Sequence, residues 1–138
     1  MLTSESIGWT AGILDGEGHL TVYRRGKTTS FQMKVTVVNT DLSMLMKLQE
    51  IWGGTINDRE KLKNHHKDCY SWTICSNQAA LMLEAVGPHM RTKKELAGLV
   101  LAYQAWANKH DGRARGANKE HLLFVRGEYA QACSEMNS

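Results

Sequence analysis

Residues 7–18 constrain the fold of this chain more than any other segment. From Ile7 to Leu14 the only strongly polar side chain is a threonine hydroxyl. At 3.6 residues per turn the apolar side chains point in all directions, and Gly8 and Gly12 lie one turn apart. A helix that is apolar all round is expected to be buried all round, and its two glycines predict that something packs closely against it. At about two turns it is far shorter than the roughly 20 residues needed to cross a membrane.

The segment ends in two acids set among glycines, Asp15-Gly16-Glu17-Gly18. Glycines at this point favour a sharp reversal from a helix into a strand. Such a junction leaves Glu17 at the rim of the buried helix. A carboxylate in that position, close to packed helices, suits a divalent metal ion.

The length and composition predict one folded domain over residues 1–138. The chain has 138 residues, 42% of them hydrophobic, and a single proline. The amino terminus lacks a secretory signal, and three cysteines form no disulfide framework, so an intracellular, reducing location is expected. A net charge of +3 permits nucleic-acid binding without indicating it.

Hydrophobic periodicity after residue 18 predicts an α+β domain with a four-stranded antiparallel sheet. A hairpin over residues 19–25 and 30–39 precedes a helix capped by Asn39 or Thr40 and stopped by Gly53-Gly54. Strands follow at 55–59 and 69–75, with helices at 78–86 and 92–108. A basic loop and a last amphipathic helix complete residues 109–138.

The letters from Thr10 to Gly18 resemble the motif of the LAGLIDADG homing endonucleases, with Thr10 in place of the opening leucine. The resemblance covers about residues 3–106 and implies an α-β-β-α-β-β-α unit with a saddle-shaped sheet, followed here by an extra C-terminal helix. In that family a chain with one motif works as a homodimer. The resemblance therefore implies a homodimer that hydrolyses double-stranded DNA at a long target site during intron homing. The reaction would depend on Mg²⁺, and Mn²⁺ or Ca²⁺ could replace Mg²⁺ for binding. The expected dimer interface comprises Gly8, Ala11, Gly12 and Asp15.

The family's last motif acid binds metal, and that position here is Glu17, with the Gly16 backbone as a further ligand. Asp15 is expected to be structural rather than a ligand. The resemblance also assigns Asn39 to water positioning near the metal, although it could simply cap the second helix. Lys93 matches the family's active-site basic residue when counted from Pro88, with Arg91 and Lys94 as competitors. Basic residues at a helix start also suggest an anionic partner.

The polar face of the predicted sheet is the expected DNA surface, because strands in the major groove bring side chains to base edges. Any solvated antiparallel sheet has a polar face, so the motif is what favours base readout. Two basic loops, Lys61, Lys63, His65, His66 and Lys67 on one and Lys109, Arg113, Arg115 and Lys119 on the other, suit phosphate contacts. The expected base-reading side chains are Thr21, Tyr23, Arg25, Gln32, Lys34, Thr36, Asn57, Arg59, Ser71 and Thr73.

Three other interpretations remain open at this stage. A catalytically inactive LAGLIDADG-like protein could bind nucleic acid alone, for example as an intron RNA splicing maturase. The fold could also be an unrelated α+β interaction domain. A zinc site at His65, His66, Cys69 and Cys75 is disfavoured, because their spacing matches no pattern of paired ligands.

Overall fold

A computed structural model describes residues 2–59, 69–110 and 118–137 of the chain. The elements are α1 (Ser4–Glu17), β1 (Gly18–Arg24), β2 (Phe31–Asn39), α2 (Leu42–Trp52), β3 (Thr55–Arg59), β4 (Cys69–Cys75), α3 (Ser76–Val86), a short 3₁₀ helix (Gly87–His89), α4 (Lys94–Lys109) and α5 (Lys119–Asn137). This order confirms the predicted α+β class and the expected sequence of elements.

The four strands form one antiparallel sheet in the order β1-β2-β4-β3. Alternate residues of β1, β2 and β4 are buried, as the apolar periodicity predicted. Val35 on the central strand β2 lies opposite Leu20 on β1 and Ile74 on β4, and all three are almost fully buried. The opposite face carries the polar side chains, so the sheet has one face in the core and one toward solvent.

The turn between α2 and β3 requires glycine because the backbone passes close to β4. Gly53 and Gly54 have φ angles of 86° and 90°. A Cβ added to Gly54 would lie 2.6 Å from the Thr73 carbonyl oxygen. The Gly53 carbonyl accepts a hydrogen bond from the Trp72 indole at 2.8 Å. This pair therefore joins the end of α2 to the largest fully buried side chain of the core.

Helix α1 is buried on one face only, which differs from the expectation for a helix apolar all round. Thr10, Ala11 and Leu14 face the core, whereas Gly8 and Gly12 are exposed. The Thr10 hydroxyl donates to the Ser6 carbonyl at 2.7 Å and accepts from the Trp52 indole at 2.9 Å. The one departure from the motif letters therefore ties α1 to α2. Within residues 2–59, 69–110 and 118–137, no helix is long and apolar enough to cross a membrane.

Three predictions about individual residues need correction. Helix α2 is capped by the Asp41 side chain rather than by Asn39 or Thr40. Gly18 is needed for space, not for an unusual φ: a Cβ there would lie 2.8 Å from the Leu14 carbonyl oxygen. The sequence predicts Leu122, Leu123, Val125 and Tyr129 as the apolar residues of the last helix. In the structure these four are half-buried, and the fully buried residues of α5 are Arg126 and Cys133.

Candidate functional site

Glu17 and Asn39 meet where α1 enters the sheet. Glu17 ends α1 and is exposed, and its Oε2 atom accepts a hydrogen bond from Asn39 Nδ2 at 2.7 Å. Asn39 ends β2, and its Oδ1 atom accepts from the Asp41 backbone N–H at 2.8 Å. The Asn39 amide thus holds the carboxylate with its nitrogen and the start of α2 with its oxygen. Because Asp41 caps α2, Asn39 is not the helix cap, and its role in positioning water near a metal stays a prediction.

Lys93 reaches the same junction from the residue before α4. Its half-buried side chain donates a hydrogen bond from Nζ to the carbonyl of Gly18, next to Glu17 in the chain. Arg91 and Lys94 are exposed. The structure therefore places Glu17 in contact with Asn39, and Lys93 in contact with Gly18, the residue after Glu17. Among the three basic candidates it is Lys93 that contacts the α1–β1 junction.

Asp15 binds the segment that carries Lys93. Its carboxylate accepts hydrogen bonds from the backbone N–H groups of Arg91, Thr92 and Lys93 at 2.8, 3.1 and 3.2 Å and from the Thr92 hydroxyl at 3.1 Å. Burial alone raises the pKa of Asp15, but these hydrogen bonds outweigh it, so the pKa is lowered from its ordinary value. Helix α4 has no side-chain cap at Lys93, and Asp15 holds the three residues that precede the helix.

His19 is a neighbour of this site to which the sequence assigned no role. It is the second residue of β1 and is exposed on the polar side of the sheet. The pKa of His19 is lowered by partial burial and then by the positive charges of Lys34 and Lys93. The charges that lower the pKa of His19 therefore come from two separate parts of the fold. Lys34 lies on β2, and Lys93 is the residue before α4.

Most of the predicted base-reading residues lie on the solvent face of the sheet, and several are held by their neighbours. The Tyr23 hydroxyl donates to Gln32 Oε1 at 2.8 Å, and Lys34 Nζ lies 4.4 Å from the Tyr23 ring centroid. Gln32 Nε2 donates to the Ser76 hydroxyl at 3.3 Å. The cluster formed by Tyr23, Gln32 and Lys34 is therefore ordered before any ligand arrives.

The remaining members of this face are distributed over all four strands. Thr36 and Thr73 share a hydrogen bond of 3.4 Å, and Thr21 pairs with Lys34 across the hairpin. Asn57 is exposed opposite Ser71, and Arg59 ends β3 opposite Cys69. Arg25 lies one residue beyond β1, in the exposed hairpin turn.

Comparison with known proteins gives matches in structure alone. No family model and no curated protein match the sequence. The homing endonuclease I-CvuI, solved in complex with its target, superposes with a TM-score of 0.76 at 19% identity, over 96% of this chain and 82% of that one. The chain has the LAGLIDADG homing endonuclease fold.

Two further structures have the same fold at different chain lengths. The archaeal intron-encoded homing endonuclease I-Vdi141I, complexed with DNA, gives a TM-score of 0.56 at 14% identity over 91% of this chain and 96% of its own. The LAGLIDADG homing endonuclease I-GzeII, in complex with its DNA target, gives 0.70 at 12% identity over 90% of this chain and 43% of its own. The chain thus corresponds to most of I-Vdi141I but to less than half of I-GzeII.

In this LAGLIDADG fold the motif helix leaves an open face. Gly8, Gly12 and Gly16 are exposed, and a Cβ added to any of them would meet no atom of the chain within 4 Å. Trp9, 38% exposed, lies beside them. Ala11, which was expected at a dimer interface, is 3% exposed because it packs into the core of this chain.

The described residues supply a small donor set for a metal ion. None of the His, Cys, Asp and Glu side chains in the described ranges gather in groups of three or more. Glu17 offers an exposed carboxylate, a hard oxygen ligand of the kind that Mg²⁺ prefers. The donor chemistry therefore fits Mg²⁺, but most of its ligands would have to come from a second chain, from phosphate or from water.

The first predicted phosphate-contact loop, with Lys61, Lys63, His65, His66 and Lys67, lies outside the described residues, as do Arg113 and Arg115 of the second. Lys109 and Lys119 are exposed at the end of α4 and the start of α5. Of the four residues considered for the disfavoured zinc site, Cys69 and Cys75 are at opposite ends of β4, a placement that gives no support to a shared zinc site.

Proposed function

We propose that this protein is a site-specific homing endonuclease of the LAGLIDADG type, which hydrolyses double-stranded DNA as a homodimer with Mg²⁺. The observation that carries the proposal is the contact of Asn39 with the Glu17 carboxylate, beside the Gly18 carbonyl that Lys93 contacts. Because these groups come from three separate parts of the chain, their meeting at one end of the polar sheet face is typical of an active site rather than of a solvated turn.

Each of the three side chains has a distinct task in this proposal. Glu17 would hold Mg²⁺, which when bound can activate water and neutralise charge on the phosphate. Asn39 orients the Glu17 carboxylate and keeps its second amide hydrogen for a water or a phosphate oxygen. Lys93 supplies a fixed positive charge that stabilises the negative charge developing on the scissile phosphate.

The exposed glycine face of α1 supports the homodimer. One chain supplies a single Glu17, whereas cutting both strands requires one site for each strand. Helices whose contact faces carry several glycines can approach closely, and a twofold axis along the Gly8–Gly12 face would bring two α1 helices and two Glu17 residues together. I-GzeII, of which this chain matches 43%, is long enough to hold two such units in one chain.

The polar face of the sheet is proposed to lie in the major groove. Tyr23, Gln32 and Lys34 present amide and cationic groups of the kind that read adenine and guanine edges. The basic residues at the ends of α4 and α5 would contact phosphates, which position the duplex but carry no sequence information.

The experiment that tests this function can be carried out before the target sequence is identified. Purified protein is incubated with Mg²⁺ and a plasmid library that carries randomised inserts together with the uninterrupted form of the DNA flanking the coding sequence. Linearised plasmids are then sequenced. We expect cleavage at one long sequence, and loss of cleavage when EDTA is added.

Glu17→Gln is the decisive variant, and Glu5→Gln is its matched control. Both acids are exposed on α1, but Glu5 lies in its first turn, at the opposite end from the site. Glu17→Gln should slow cleavage by at least roughly 100-fold and leave DNA affinity in Ca²⁺ unchanged, whereas Glu5→Gln should cut normally. Wild-type cleavage by Glu17→Gln would refute the assignment. Tight duplex binding without cleavage by the wild type would favour the non-enzymatic binder instead.

A further inference from the structure

We propose that Asp15, the first acid of the motif, is a positioning residue that fixes the amine of Lys93 beside Glu17. This inference rests on the proposed function for the role of Lys93 in the reaction. It gives the two acids of the motif separate tasks. Glu17 faces solvent with a carboxylate that can bind a ligand, whereas Asp15 uses both of its oxygens within the chain.

The contacts of Asp15 saturate its carboxylate. Oδ2 accepts from the backbone N–H of Arg91, and Oδ1 accepts from the backbone N–H groups of Thr92 and Lys93 and from the Thr92 hydroxyl. These three residues directly precede α4, which begins at Lys94. A negative charge at this end of a helix is also favourable. Asp15 is thus committed to this segment and has little capacity left for a metal ion.

Lys93 is held at both ends by the α1–β1 junction. Its backbone N–H is bound by Asp15, and its side-chain amine contacts the carbonyl of Gly18 at the start of β1. Met90, just before the bound segment, is 2% exposed and packs in the core. The segment between Met90 and α4 therefore has two anchors, the core on one side and Asp15 on the other.

The contacts of Asp15 with residues 91–93 are called the Asp15 clamp below. They matter because a lysine side chain has several rotatable bonds, and ordering it costs conformational entropy. A displacement of about 1 Å at a reacting group can slow a reaction by about 100-fold. An asparagine at position 15 would keep one acceptor oxygen and turn an N–H₂ group toward backbone N–H groups. Asp15→Asn should therefore loosen the clamp with almost no change in side-chain volume.

The test is a double-mutant cycle on cleavage by the full-length homodimer. Single-turnover rates with saturating target DNA are measured for the wild type, Asp15→Asn, Lys93→Ala and the double variant. We expect Asp15→Asn to slow cleavage by roughly 100-fold with unchanged DNA affinity in Ca²⁺. In the Lys93→Ala background the same change should matter less than about threefold, because the clamp then has nothing to position. Full additivity of the two changes would overturn the proposal.

Glu50→Gln is the matched control, because Glu50 is an exposed acid near the far end of α2 whose carboxylate pairs with Lys47 at 3.4 Å. An exposed ion pair of this kind contributes little to stability. This variant should therefore cut within about twofold of the wild-type rate. If Asp15→Asn fails to fold, Thr92→Val serves as the milder variant, because it removes only the hydroxyl bonds to Asp15. Its smaller rate loss should likewise vanish in the Lys93→Ala background.

Two measurements without DNA separate this inference from the proposed nuclease. Amide hydrogen exchange at residues 91–93 and reductive methylation of the Lys93 amine, with Lys94 as internal reference, report the clamp directly. Both should speed up by roughly tenfold in Asp15→Asn. If they change while the wild type cuts no DNA, the nuclease proposal fails and the clamp stands. If neither rate changes, the clamp is wrong, whatever the wild type does to DNA.

Discussion

The side-chain amide of Asn39 connects the Glu17 carboxylate to the start of α2. Nδ2 donates to Glu17 Oε2 at 2.7 Å, and Oδ1 accepts from the Asp41 backbone N–H at 2.8 Å. The second bond fixes which end of the amide faces Glu17, because only the oxygen can accept from an N–H group. The proposed metal-binding carboxylate is therefore oriented by the segment between β2 and α2, which carries no acid of the motif.

Asn39→Ala should slow DNA cleavage by roughly 10- to 100-fold, the usual cost of losing the partner that orients a metal-ligating side chain. DNA affinity in Ca²⁺ should stay at its wild-type value, since Asn39 makes no base contact in the proposed complex. Thr40→Ala, at the exposed neighbouring position, is the control. Equal rates for the two variants in single-turnover assays would show that Asn39 does not position Glu17.

Gly12 provides a test of the dimer that is independent of activity. A Cβ at Gly12 would meet no atom of its own chain within 4 Å. In an isolated helix Gly→Ala stabilises by about 1 kcal/mol, so Gly12→Ala should stabilise a monomer. In a dimer packed through this face the added methyl groups would collide. We therefore expect Gly12→Ala to weaken the dimer, and Gly12→Leu to give monomers by size-exclusion chromatography with light scattering.

Gly98→Ala is the matched control for this prediction. Gly98 is an exposed glycine within α4, and a Cβ there also meets nothing within 4 Å. Gly98→Ala should raise thermal stability and leave the oligomeric state unchanged. If Gly12→Ala behaves in the same way as Gly98→Ala, the Gly8–Gly12 face is not an interface.

Local patterns in the sequence predicted most of the fold but not the contacts between distant segments. The alternation of apolar and polar residues predicted the strands, and Gly53-Gly54 predicted the end of α2, because both signals come from neighbouring residues in the chain. The Asp15 contact with Thr92 joins residues 77 positions apart, and no periodicity reports it. Similarly, Arg126 on α5 is charged and yet only 7% exposed. The sequence predicted instead that the apolar residues of this helix, such as Leu122 and Tyr129, would form its buried face. The site residues were found through the motif, whereas the groups that orient them required the tertiary structure.

The lowered pKa of Asp15 predicts the pH dependence of its contribution to stability. A carboxyl whose pKa is lower in the folded protein stabilises the fold above its ordinary value of 3.8, and this contribution disappears as the pH falls through the folded value. The difference in free energy of unfolding between the wild type and Asp15→Asn should therefore be largest near neutral pH and shrink below pH 3.8. Urea denaturation over this range measures it.

The contribution of Asp41 to stability should depend on pH in the same direction. Its pKa is lowered by the Ser43 hydroxyl and the Met44 backbone N–H, so Asp41→Asn should also lose its effect in acid. A difference between wild type and either variant that stays constant with pH would mean that the carboxylate charge does not contribute to these hydrogen bonds.

Gln32 is expected to read one base of the target. Its Oε1 accepts from the Tyr23 hydroxyl and its Nε2 donates to Ser76, so one amide hydrogen and one oxygen lone pair remain. Those groups match the N7 acceptor and N6 donor of adenine, a pair worth about 1–3 kcal/mol of discrimination. Gln32→Ala should lose that preference at one position of the target. Tyr23→Phe should weaken it less, because Gln32 keeps its other bond.

Binding in Ca²⁺ to target duplexes substituted at each position in turn measures this effect, with Lys109→Ala as the contrasting variant. Lys109 is exposed at the end of α4 and is proposed to contact phosphate. Its loss should weaken binding to all sequences equally and reduce the salt dependence by about one charge. If Gln32→Ala weakens binding uniformly in the way expected of Lys109→Ala, then Gln32 contacts the backbone, and the ordered cluster around Tyr23 positions the DNA without reading it.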